Sequence, residues 1–127
     1  MSTSVENVSK AYVKAWQEKD LQALGDLIDP AIVFKSPTAT TNGRDAYLAA
    51  AKRFISLVER IDVRARCVTE SDAMVAYDFV CREPIGVSAT AELITVKNSL
   101  VAYSEVFFDA RPFAALAKLP APASTQK

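Results

Sequence analysis

A chain of 127 residues, half of them apolar, is long enough for one domain whose core needs no disulfide or metal to hold it. Its 15 basic and 15 acidic residues balance, with no basic stripe to suggest nucleic acid. No apolar run reaches the roughly 18 residues of a membrane span.

Histidine is absent, which removes Ser-His-Asp and Cys-His catalysis and the commonest zinc ligand. Acid–base chemistry must then fall to Asp, Glu, Tyr, Lys or Cys, and neither a metal nor a cofactor is expected. The opening MSTSVENVSK has no hydrophobic signal core, so a cytoplasmic location is the expectation.

In chain order, Ser4 reads as the cap of a helix from Val5 to about Lys19. Val5, Val8, Tyr12, Ala15 and Trp16 recur at three- and four-residue spacing and form its inward stripe. Asp20 caps a second, short helix with Leu21, Leu24, Leu27 and Ile28 buried, and Asp29-Pro30 stops it. Ala31 to Ser36 is a lone strand, followed by the turn-forming loop PTATTNG.

Arg44 to Val58 is helical again, capped at Asn42 or Gly43, with Tyr47, Ala50, Ala51 and Phe54 on one side. After Glu59 the period becomes two. Ile61, Val63, Ala65 and Cys67 alternate with Asp62, Arg64 and Arg66, and the returning strand carries Val75, Tyr77, Phe79 and Cys81 inward. A fourth strand, about Val87 to Val96, leads through Lys97-Asn98-Ser99 into LVAYSEVFFDA, Leu100 to Ala110. That last strand carries a mixed row, Val101, Tyr103, Glu105, Phe107 and Asp109, which is expected to line a pocket. Its apolar row, Leu100 to Phe108, is expected to meet a helix or a partner. Pro112 opens a short terminal helix, Phe113 to Leu119.

The order of these elements resembles one superfamily. Together with AYVKAWQEKDLQAL, IDPAIVFKSP, NGRDAY and EVFFDARPF it is similar to nuclear-transport-factor-2-like proteins, in their SnoaL-like and ketosteroid-isomerase-like branch, over about Val5 to Leu119. The resemblance implies an α+β fold in which a cone-shaped, curved, mixed or antiparallel sheet wraps around N-terminal helices, a cystatin-like α+β barrel. It also implies a deep pocket and, often, a homodimer. Residues 1–119 would form the single pocket domain, and 120–127, polar and Pro-rich, a disordered tail. Members include isomerases, epoxide hydrolases, cyclases and proteins of no known activity, so the fold leaves function open.

Three groups of residues are candidates for function. The resemblance puts Tyr12 where isomerase-like members place an oxyanion-binding tyrosine. It also puts Ser36 of FKSP where they carry the catalytic base, and a serine without histidine cannot fill that role. Tyr12 reads more readily as a core tyrosine whose hydroxyl finds a polar neighbour.

Glu92 and Glu105 form the second group. With a two-residue turn at Lys97-Asn98 or Asn98-Ser99, strand parity sets Glu92 on the face of Tyr103 and Glu105. Two carboxylates in one enclosed site would raise the pKa of one of them. The other reading is a rim glutamate paired with Arg44, Arg82 or Arg111. Glu105 in YSEVFFD stands where hydrolase-like members have an Asp, but the Arg and Asp they also need are replaced by Phe79 and Cys81.

The third group, Trp16, Phe34, Phe54, Phe79, Tyr103 and Phe107, would wall the pocket around a small apolar or aromatic ligand. Glu105 would be the base and Tyr12 and Glu92 donors for cofactor-free isomerase, cyclase or hydrolase chemistry. The competing expectation is a non-catalytic module for dimerisation or partner docking. Cys67 and Cys81 are expected as free, buried thiols, with Cys67 beside Val75 and Cys81 beside Ile61.

Overall fold

A computed structural model describes residues 2–117, with side chains from 5 to 114. The expected tail 120–127 and the helix end at Leu119 lie outside the described residues. Helix α1, Ser2–Gln17, buries Val5, Val8, Tyr12 and Ala15, the stripe its apolar spacing dictates. Ser4 lies within it rather than capping it. Helix α2, Leu21–Asp26, opens on Asp20, whose carboxylate accepts the Ala23 N–H at 3.0 Å.

Strand β1, Ile28–Lys35, begins before Asp29-Pro30 instead of after it. Ile28 is fully buried and pairs with Val101, so sheet pairing draws the chain out of the helix early. Nor is β1 a lone strand. Strand β2, Thr40–Asn42, folds back on it from within the expected loop. Gly43, at φ 94, opens α3, Arg44–Ile55, in a conformation that suits glycine, and donates its N–H to Ile32 at 2.8 Å. Helix α3 ends before Val58 because Val58 starts the next strand.

Strands β3 (Val58–Val68), β4 (Asp72–Cys81), β5 (Val87–Lys97) and β6 (Leu100–Phe107) follow in meander order, and α4 spans Arg111–Ala117. The sheet runs β2-β1-β6-β5-β4-β3, parallel only between β1 and β6. This is the expected α+β fold with a mixed sheet. Helix α1 packs across β3 to β6 and α3 across β1 and β2, so the core lies between helices and sheet. Among the described residues no helix is long and apolar enough to cross a membrane.

Bulges in β6 and β3 decide which side chains enter that core. Asn98 and Ser99 both have positive φ, 53° and 63°, as the two central residues of a type I′ hairpin turn do. From this turn Lys97 pairs with Leu100 and Val96 with Val101, but Thr95 then pairs with Tyr103. Ala102 is the extra residue. Side chains alternate with period two, so one inserted residue reverses the face of everything beyond it. Ser104 and Val106 therefore turn inward, and Tyr103, Glu105 and Phe107 turn outward.

Strand β3 repeats the device. Val63 pairs with Tyr77 and Ala65 with Ala76, which makes Arg64 the extra residue. Cys67 consequently pairs with Met74 on the outer face and is exposed, not buried as expected. Cys81 pairs with Val58 rather than Ile61 and is buried. Both thiols are free.

Candidate functional site

Glu92, on β5, is 3 % exposed and borders a cavity of about 40 Å³ between α1, α3 and the sheet. Its inward position follows from simple alternation along β5, where Thr90, Glu92, Ile94 and Val96 share the buried row. Three hydroxyls donate to the carboxylate. Tyr12 reaches Oε2 at 2.7 Å, Tyr77 reaches Oε1 at 2.7 Å, and Ser104 reaches Oε2 at 2.5 Å.

Behind them the Tyr47 hydroxyl lies 2.6 Å from that of Tyr12, and the Trp16 indole N–H donates to Tyr47 at 3.1 Å. An indole nitrogen is only a donor, and an ionised carboxylate is only an acceptor. The chain of hydrogen bonds therefore has one direction: Trp16 to Tyr47, Tyr47 to Tyr12, Tyr12 to Glu92.

Burial raises the pKa of Glu92 above its ordinary value, while the bonds from Ser104, Tyr12 and Tyr77 draw it back down. Tyr12, Tyr47 and Tyr77 are all shifted upward. Burial is the main cause in each case, and the neighbouring Glu92 charge adds to it. These tyrosines remain neutral donors across the physiological range. The hydroxyls stabilise the charged form of the carboxyl. Among the described residues no group of three or more Cys, Asp or Glu could hold a metal ion.

Of the residues singled out in the sequence, Tyr12, Trp16, Phe34, Phe54, Phe79 and Glu92 all border this cavity. Tyr103, Glu105 and Phe107 do not. The bulge at Ala102 turns them to the other face of the sheet, where Tyr103 donates to Glu105 at 2.6 Å and Phe107 is 45 % exposed. Glu105 pairs with Leu93 and Glu92 with Val106, so the two carboxylates lie on opposite faces. Ser36 is taken up in its own loop, bonded to Thr38 and Ala39.

Arg44 donates to the Ile28 carbonyl, and Arg111 forms a bidentate pair with Asp109, which it holds at a pKa of about 2. No ion pair among the described residues involves either glutamate.

Sequence reasoning missed Tyr77, Tyr47 and Ser104. Tyr77 shares the inward row of β4 with Phe79, and Tyr47 the inward stripe of α3 with Ala50 and Ala51, so the signal was present for both. Ser104 had none, because its facing depends on the bulge. Val106, Phe108 and Phe113 close the remaining side, with Phe113 of α4 against Phe108 and Phe54 at centroid distances of 5.1 and 6.1 Å.

Comparison with known proteins matches the geometry to a family. Residues 9–107 match the model of the SnoaL-like domain. No functionally curated protein matches the sequence. Among solved structures, a protein from Kribbella flavida is 24 % identical with a TM-score of 0.85, over 91 % of this chain and 95 % of its own. An NTF2-like protein of unknown function from Cytophaga hutchinsonii is 15 % identical with a TM-score of 0.76, over 87 % of this chain and 94 % of its own. An LEH-like epoxide hydrolase from M. tuberculosis is 12 % identical with a TM-score of 0.75, over 91 % and 96 %. At these identities the likeness is one of fold. The chain belongs to the SnoaL-like domain family, and its fold is the one seen in NTF2-like proteins.

Proposed function

We propose that this protein binds a small apolar or aromatic molecule bearing one polar group in the cavity above Glu92, and that Glu92 exchanges a proton with it. The observation that carries this reading is a buried carboxylate, held by three hydroxyls, at the end of an otherwise apolar cavity. An apolar enclosure with a few convergent polar groups and a perturbed titratable residue is the usual form of a small-molecule site. The chemistry would be cofactor-free proton transfer of the isomerase or cyclase kind, with Glu92 as acid and base. Tyr12 would stabilise the charged form of Glu92. Glu105, on the other face, has no part in it.

The competing reading is a non-catalytic dimerisation or docking module. It is favoured by the exposed Met74 and Phe107 on the outer face of the sheet. We assign that face to a homodimer in the cytoplasm, which is compatible with ligand binding inside.

Trp16 is the sole tryptophan and borders the cavity, so its fluorescence reports directly on occupancy. A panel of small aromatic and alicyclic compounds should include some that change the Trp16 emission, and Glu92→Gln should abolish any turnover of them. If no compound alters the emission while the protein sediments as a dimer, the docking module is the better reading.

A further inference from the structure

We propose that the ligand of this cavity is a small organic cation, an alkylammonium of a few heavy atoms. The proposal rests on the reading of the cavity as a ligand site and names the polar group that the site selects.

The argument begins with donors. Tyr12, Tyr77, Thr90 and Trp16 are the hydrogen-bond donors that border the cavity, and each is already committed. Tyr12 and Tyr77 donate to Glu92, Thr90 to the Ser88 carbonyl at 3.1 Å, and Trp16 to Tyr47. With Glu92 ionised, a ketone, an alcohol oxygen or a carboxylate entering the cavity would find no unengaged N–H or O–H.

What remains is acceptor capacity. A carboxylate offers about four lone-pair positions, and the side chains around Glu92 occupy three. No Lys or Arg borders the cavity, so the charge of Glu92 has no counter-ion there. An ammonium N–H would take the open position and supply the missing charge.

The walls select in the same direction. Trp16, Phe54, Phe79 and Phe108 border the same cavity as Glu92, and aromatic rings attract alkylated ammonium groups through the negative potential of their faces. At about 40 Å³ the cavity is far smaller than the roughly 300–1,000 Å³ of drug-sized sites, which favours a small ligand.

The test compares isopropylammonium, isopropanol and acetate, which match in heavy-atom count but are cationic, neutral and anionic. Binding is read on the full chain by the indole N–H resonance of Trp16. The ammonium should bind at least about tenfold more tightly than the alcohol, and acetate should not bind. In Glu92→Gln, ammonium affinity should fall to that of the alcohol.

Equal or tighter binding of isopropanol or acetate would overturn the cation and leave the cavity as a ligand site. Ammonium binding unchanged in folded Glu92→Gln would do the same. If none of the three probes shifts the indole resonance, the ligand site fails along with the cation. Should Glu92→Gln not fold, the three-probe series on the unaltered protein decides alone.

Discussion

Tyr12 and Glu92, 80 residues apart in sequence, meet through a 2.7 Å hydrogen bond inside the core. The bond joins the α1 face to the inward row of β5 and orients the carboxylate toward the cavity. It is also the last link of the chain that starts at Trp16, so Tyr47 depends on it for an acceptor.

Removing the Tyr12 hydroxyl should therefore cost more than a single ordinary hydrogen bond. Tyr12→Phe leaves the Tyr47 hydroxyl without its acceptor and Glu92 with one donor fewer, both buried. A loss of about 1–3 kcal/mol is expected from urea unfolding. The same change at Tyr103, on the outer face, should stay within about 0.5 kcal/mol. Equal effects at both positions would contradict the directed network.

Stability should depend on pH through Glu92. Its folded pKa is raised above the unfolded value, so between the two the folded state holds more protons. Stability then falls as pH rises from the unfolded glutamate value, about 4.3, and levels off above the folded pKa. Glu92→Gln should flatten that part of the profile. Chemical denaturation at several pH values, with wild type and variant side by side, supplies the measurement. A slope of the opposite sign that vanishes in the variant would mean that the hydroxyls outweigh burial.

Glu105 serves as the internal control. Glu105→Gln should change stability by less than about 0.5 kcal/mol and leave binding at Trp16 untouched, because the side chain is on the outer face of the sheet. Loss of ligand binding in this variant would show that the bulge at Ala102 is absent in solution.

The cysteines should react unequally. Cys67 is exposed and should be modified by a thiol reagent in the native protein. Cys81 is buried, and burial, with the nearby Glu59 charge, raises its pKa, so it should react quickly only after denaturation. One fast and one slow equivalent is the expected result. Two slow equivalents would return Cys67 to the inner row.

Much of the architecture was legible in sequence because helices and strands carry their periods openly. The spacing of Tyr12 and Trp16 set the inward face of α1, and the row Val75, Tyr77, Phe79 set that of β4, whatever surrounds them. The two-residue alternatives for the last turn included Asn98-Ser99, the pair found there. The early start of β1 and the presence of β2 were not legible, since both exist only through pairing with strands elsewhere in the chain.

Composition alone ruled out histidine catalysis and left carboxyl, phenol, amine and thiol groups as the chemistry available. Which carboxylate faces the cavity was decided only in three dimensions. The register of β6 against β5 depends on one unpaired residue, Ala102, and that of β3 against β4 on two, Glu59 and Arg64. None of the three carries a turn or glycine signal in the sequence. A bulge is a property of two strands fitted to each other, and period-two alternation makes its consequence total: Glu105 and Cys67 face outward, while Ser104 turns in to complete the shell of hydroxyls around Glu92.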